Sequence, residues 1–337
     1  MGRTIRWQTL LALLGITLLA AILASTARQF TELTVAAKGG VYSEAVVGAP
    51  RALNPLLSFG SDLDSDLTGL IFQGLVALNE RGEPVPALAE SWEISPDEQD
   101  LTFRLRRDVR WHDGAPFSAA DVIFTVGVLQ SDAFAQSGQP ASAYLAQLWR
   151  NVSVEQLDPY TVRFRLQQPL ASFLAENTIG ILPSHLWNRV PVTDLAQSPL
   201  NLQPVGTGPW RLASLSAQAA RLEPNPYTTG PAPFLEALEF RFFPDYASAF
   251  AAFQAGEVSG VSRLTPQEMP AAQASDEMEV LTAPLAGATF IYFNLTNPET
   301  PFLADVNVRR ALNLALDPAK LIDGVLNGQG IDRKSVV

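Results

Sequence analysis

The chain contains no cysteine and only two histidines, His112 and His185, among its 337 residues. Zinc ribbons, iron–sulfur ligation, thiol catalysis and a disulfide framework therefore lack their ligands or nucleophiles, and any metal would need an all-oxygen site. Basic side chains are also scarce: 23 face 34 acidic ones, for a formal net charge of −11, and only three of them are lysines. That balance repels a phosphate backbone and leaves no electrostatic drive toward nucleic acid. Low-complexity tracts are missing, as is any repeat of about 20 to 50 residues, which excludes a solenoid.

What is present is apolar surface. Hydrophobic residues make up 47% of the chain, and its length predicts two domains with an ample core. The apolar residues concentrate first at the amino terminus. From Trp7 to Ala27 no residue is charged, Arg3 and Arg6 precede the run, and Arg28 follows it. A basic start followed by an apolar stretch predicts an export signal, with Ser25 and Ala27 suited to a cleavage site. An uncleaved anchor is the alternative, since a run of this length can cross a bilayer of about 30 Å, and the two arginines favour a cytoplasmic amino end. Either way, the rest of the chain is expected outside the cytoplasm. Cleavage after Ala27 would leave it at a charge of −13.

Beyond Lys38, strand-like and helix-like patterns alternate between proline and glycine breaks. The stretch Ser61 to Leu78 carries Leu63, Leu67, Leu70 and Ile71 on one helical face. LTFRLR (Leu101 to Arg106), TVRFRL (Thr161 to Leu166) and LEFRFF (Leu238 to Phe243) alternate strictly and predict strands. His112-Asp113-Gly114 supplies a turn, and Ser118 with Asp121 forms a capping box for a helix through Val122, Phe124 and Val126. A helix from Tyr246 to Ala255 should stop at Gly256. Asp305 should cap a helix with Val308, Ala311, Leu312 and Ala315 on one face. Asp317-Pro318 should start another, ended by Asn327-Gly328. Interleaved strands and helices indicate an α/β architecture.

Familiar chemical motifs fail on inspection. Asp62, Asp64 and Asp66 open like a calcium loop, but the required glycine and terminal glutamate are replaced by Leu67 and Gln73, so the triplet reads as a solvated helix start. Gly206-Thr207-Gly208-Pro209 begins like a dinucleotide fingerprint, yet the third glycine position holds Arg211 and Pro209 removes a donor; a turn is the better reading. The two histidines have neither further metal ligands nor a nucleophile in recognisable context, so they read as structural or surface groups. The Asn-x-Ser/Thr triplets at Asn151 and Asn294 read as chance matches. Trp92, Trp111, Tyr144, Trp149, Trp187, Trp210 and Tyr292 either fill cores or line a cleft.

Five segments in order carry a resemblance. They are LNPLLS (Leu53 to Ser58), PALAESWEISPDEQDLTFRLRRDVRWHDGAPFSAADVIFTV (Pro86 to Val126), VGTGPWRL (Val205 to Leu212), FRFFPDYASAFAAFQAGEV, and FNLTNPETPFLADVNVRRALNLALD (Phe293 to Asp317). With these the chain resembles extracellular solute-binding proteins of family 5, the peptide, oligopeptide and nickel class that serves ABC transporters. The resemblance runs from about Gly40 to Gly330.

It implies a periplasmic-binding-protein-like (class II) α/β clamshell with an inserted small domain. Residues 1–37 would be the signal peptide or anchor. Residues 38–57 and 182–281 would form a discontinuous first lobe, 58–181 the inserted domain, and 282–331 the start of an incomplete second lobe. The last six residues, DRKSVV, resemble the translation of a common sequencing adapter and are expected to be an artefactual tail. The residues that would approach a ligand are Asn54, Pro55, Leu56, Ser58 and Phe59, with Tyr144 from the inserted domain and Tyr292 and Asn294 from the second lobe. The expected function is a monomeric, non-enzymatic receptor outside the cytoplasm. It would bind a peptide or other small solute without a cofactor and deliver it to ABC permease subunits. The alternatives are a membrane-anchored sensor or scaffold of the same fold, and an exported hydrolase.

Overall fold

A computed structural model describes residues 13–22, 37–282, 292–328 and 330. Residues 13–22 form a helix, α1, with its side chains exposed. The rest of the Trp7 to Ala27 run, the expected cleavage site and the 332–337 tail lie outside the described residues. Among the described residues, no helix is long and apolar enough to cross a membrane.

The chain then alternates as its pattern predicts. Strand β1 (Val41–Val47) leads through an irregular segment to helix α2 (Asp62–Ile71) and a hairpin of β2 (Val76–Leu78) and β3 (Pro84–Pro86). Strands β4 (Ala89–Ile94) and β5 (Asp100–Leu105) follow, then helices α3 (Ala119–Leu129), α4 (Asp132–Ala135) and α5 (Ser142–Trp149). Strands β6 (Val152–Asp158) and β7 (Thr161–Leu166) precede the short helices α6 (Phe173–Glu176) and α7 (Ser184–Trp187). The next group is β8 (Trp210–Leu215), β9 (Ala219–Pro224), β10 (Ala237–Phe243), α8 (Tyr246–Gln254), β11 (Gly260–Val261) and α9 (Met269–Gln273). Helices α10 (Val306–Ala315) and α11 (Pro318–Val325) come last.

Two sheets organise these elements. One has five strands in the order β11-β1-β10-β9-β8, with β1 parallel to both β10 and β11. The other has four antiparallel strands in the order β4-β5-β7-β6. The alternating strands face the core as their period requires: Leu101, Phe103 and Leu105 of β5 and Val162, Phe164 and Leu166 of β7 are all buried. Phe164 is the centre of an aromatic cluster, with Phe103, Trp149 and Phe173 at ring-centroid distances of 5.6, 5.8 and 6.0 Å. Of the seven aromatics left open by the sequence, Trp111, Trp149, Trp187 and Trp210 are buried, while Tyr144 and Tyr292 are exposed.

Two local expectations need correction. The helical face expected from Ser61 to Leu78 ends at Ile71, and Val76–Leu78 is a strand. Phe72 is extended, and Gly74 sits so tightly under Thr178 that a Cβ there would lie 2.5 Å from its carbonyl carbon, so the helix cannot continue through this point. The acidic triplet is also not wholly solvated. Asp64 is buried, and its carboxylate accepts the backbone N–H groups of Arg51 (2.9 Å) and Ala52 (3.4 Å). Burial raises its pKa above the ordinary carboxylate value, with those two hydrogen bonds opposing the shift.

Candidate functional site

The NPL segment folds as a knot around one carboxamide. Asn54 is fully buried: its Oδ1 accepts from the Leu56 N–H at 3.0 Å, and its Nδ2 donates to Asn201 Oδ1 at 3.1 Å. Asn201 in turn donates to the carbonyl of Leu195 at 2.8 Å, and its own carbonyl accepts from Leu53 N–H at 2.8 Å. The Asn54 carbonyl accepts from Leu57 and Ser58, which turns the chain tightly and starts a single 3-10 turn over Ser58–Gly60. Every polar atom of a buried carboxamide needs such a partner, and here the partners lie on both sides of a long loop.

This knot decides which of the expected site residues are exposed. Asn54, Pro55, Leu56 and Ser58 are buried, whereas Phe59 is half exposed. Gly60 lies against Pro140, where a Cβ would stand 2.5 Å from the proline ring, and Pro140 shortly precedes helix α5. Tyr144, 61% exposed, stands on that helix. The structure thus groups Phe59 with the start of the Tyr144 helix, while the other four residues hold Phe59 in place. Tyr292 and Asn294 belong to the stretch after the undescribed residues 283–291. Both are exposed, and the Asn294 carboxamide oxygen folds back onto the N–H (3.1 Å) and hydroxyl (3.0 Å) of Thr296.

A cavity of about 270 Å³ adjoins the same turn, with Leu57, Phe134, Gln139, Thr193, Leu195 and Gln197 among its walls. None of its lining residues is charged. A second cavity, about 300 Å³, lies where α2 meets the five-stranded sheet, lined by Leu63, Leu70, Val46 and Phe240 together with Glu44 and Asp66. Burial raises the pKa of Glu44, and the nearby Asp66 carboxylate adds to that shift. Among the described residues no group of three or more histidine or acidic side chains could hold a metal.

Sequence reasoning missed the partners that fix this region. Asn201 lies 147 residues beyond Asn54 and forms part of no motif. The glycines of the GTGP turn are packing requirements: a Cβ on Gly206 would fall 1.9 Å from the Ile71 carbonyl oxygen, and one on Gly208 would fall 2.4 Å from that of Leu70. They let the loop seat against the carboxyl end of α2. Both histidines meet at the same turn: His112 bonds to this loop and His185 to Asp113.

Comparison with known proteins agrees with this architecture. Residues 83–337 match the model described as bacterial extracellular solute-binding proteins, family 5 Middle. A Brucella ovis protein designated a candidate ABC transporter peptide-binding protein is 31% identical over 281 residues, which are 82% of this chain and 50% of that protein. The chain therefore spans about half the length of the curated relatives it matches. The oligopeptide-binding protein AppA of Bacillus subtilis, solved with a nonapeptide, matches with a TM-score of 0.75 and 26% identity over 87% of this chain and 57% of that one. NikZ of Campylobacter jejuni, solved with Ni(L-His), gives a TM-score of 0.73 and 28% identity over 86% and 55%.

Proposed function

Since the chain belongs to the family 5 bacterial extracellular solute-binding proteins, we propose that it is part of a receptor outside the cytoplasm. The receptor binds a peptide or peptide-like solute between two lobes and hands it to an ABC permease, without catalysing a reaction. The observation that carries this reading is the buried Asn54–Asn201 knot, which leaves Phe59 at the surface while its neighbour Gly60 packs on Pro140, shortly before the helix bearing Tyr144. Two exposed aromatics on a rigid support offer large contact area at low entropic cost, and that is what an extended peptide backbone needs. Likeness to a nonapeptide-bound relative supports the same solute class.

In this reading the five-stranded sheet is the heart of the first lobe, residues 38–57 and 182–281. The four-stranded sheet is the heart of the inserted domain, residues 58–181, and residues 282–331 begin the second lobe. Helix α2, at the edge of the inserted domain, lies against the first-lobe sheet and carries the Phe59 turn with it. Solute closes the lobes by binding the closed form better than the open one.

The test is incubation of the longer protein containing this chain with a defined peptide pool, followed by recovery and mass analysis. Retention of intact peptides supports a receptor. Cleaved products would indicate a hydrolase, and no retention of any peptide would contradict the proposed solute class.

A further inference from the structure

Both histidines of the chain converge on one turn, residues 110–116. The backbone N–H of His112 donates to the Gly206 carbonyl at 2.9 Å, and its Nδ1 accepts from the Gly206 N–H at 3.2 Å. On the other side of the ring, Nε2 lies 3.1 Å from the Gly208 carbonyl oxygen. A backbone N–H can only donate and a carbonyl can only accept, so this geometry fixes the neutral tautomer protonated at Nε2. The loop that His112 reads is the one seated on α2: Gly208 N–H donates to the Ile71 carbonyl at 2.8 Å. Next to His112, Asp113 accepts from Ala115 N–H at 3.0 Å and faces His185 Nε2 at 2.7 Å.

We infer that His112 is a proton-sensitive clasp. A solvent proton taken up at Nδ1 removes the acceptor for Gly206 N–H and loosens the 205–208 loop from the carboxyl end of α2, while the His185 contact holds the other side of the turn through Asp113. The charged groups around the ring come from every neighbouring element. Asp113 lies on the same turn and Arg211 follows the loop. Arg110 donates to the Gly114 carbonyl at 3.0 Å, and the Tyr227 hydroxyl packs over Gly114. Burial is the largest influence on His112 and lowers its pKa below the ordinary 6.5; the Gly208 carbonyl and Asp113 oppose that shift, and Arg211 reinforces it. A depressed folded-state value means the stabilisation is fully present above the ordinary histidine value and is lost as pH falls through the folded one. Because α2 directly follows the Phe59 turn, acid loosens the support of that turn as well.

The test uses the full chain and two readouts: imidazole nitrogen shifts, and exchange of the Gly206 and Gly208 amides corrected for intrinsic rate. Near neutral pH, His112 should show the Nε2–H tautomer. Local opening at both glycines should rise by up to about tenfold per pH unit below the ordinary histidine value, the limit for one linked proton. His112→Asn, whose carboxamide oxygen can still accept from Gly206 without titrating, should remove that rise, and His185→Gln should leave it in place. The inference is overturned by an Nδ1–H tautomer, by opening that stays constant between about pH 7.5 and 5, or by a pH rise that disappears only in His185→Gln. Should His112→Asn fail to fold, the wild-type tautomer and opening profile decide the matter alone.

Discussion

Helices α3 and α10 have nearly the same length, both follow an acidic or hydroxyl cap, and both carry an apolar stripe, yet they end in opposite environments. Helix α3 buries Val122, Val126, Val128 and Leu129 against the four-stranded sheet. Helix α10 buries nothing, and neither does α11: Leu314 is 85% exposed, and Leu312, Leu321 and Val325 also face outward. Caps and periodicity specify that a helix forms and where it begins. They do not specify what it packs against, which depends on parts of the chain far away in sequence. The contrast coincides with a length difference, since the chain spans about half of its relatives.

The largest effects expected are at Gly206 and Phe164, both in the packed region. Gly206→Ala drives a Cβ into the Ile71 carbonyl and should cost about 3 kcal/mol or more, measured by denaturant unfolding. Phe164→Ala removes the hub of four rings and should cost about 3 to 5 kcal/mol by the same measurement. Leu314→Ala, the matching truncation in the exposed region, should change stability by no more than about 0.5 kcal/mol. A large loss there would mean that α10 packs on something in solution. Asp305→Ala deletes the side-chain acceptor of Asn307 N–H, 2.8 Å away, and should weaken α10 by about 1 kcal/mol. Amide exchange confined to 306–315 would register it, with the unfolding midpoint of the sheets unmoved.

The same contrast explains how far the sequence could be read. The strands β5, β7 and β10 and the starts of α3, α10 and α11 rest on local signals: alternation, a capping carboxylate, a proline at the first turn. These are legible because both partners lie within a few residues of each other. Asp121, for example, accepts from the N–H of Ser118 at 2.9 Å. The end of α2 was not legible, because what stops it is Thr178 lying over Gly74 and the GTGP loop arriving from more than 130 residues later. The burial of Asp64 was hidden for the same reason. An acid at a helix start favours the dipole whether solvated or not, and only the folded chain brings the Arg51 and Ala52 amides to it.

At the candidate site, resemblance supplied the segment Asn54 to Phe59, and the structure divides the labour within it. Asn54, Pro55, Leu56 and Ser58 are buried, whereas Phe59 and Tyr144 are exposed, and the proposed function assigns solute contact to the exposed pair. That division needed Asn201, which no spacing rule connects to Asn54.

The most direct measurement is calorimetric titration of a retained peptide into the longer protein containing this chain, comparing wild type with Phe59→Ala. The account predicts saturable binding of an intact peptide, weakened about tenfold or more by the substitution with the unfolding midpoint unchanged. Equal affinity in the two proteins, or hydrolysis of the peptide during the titration, would contradict it.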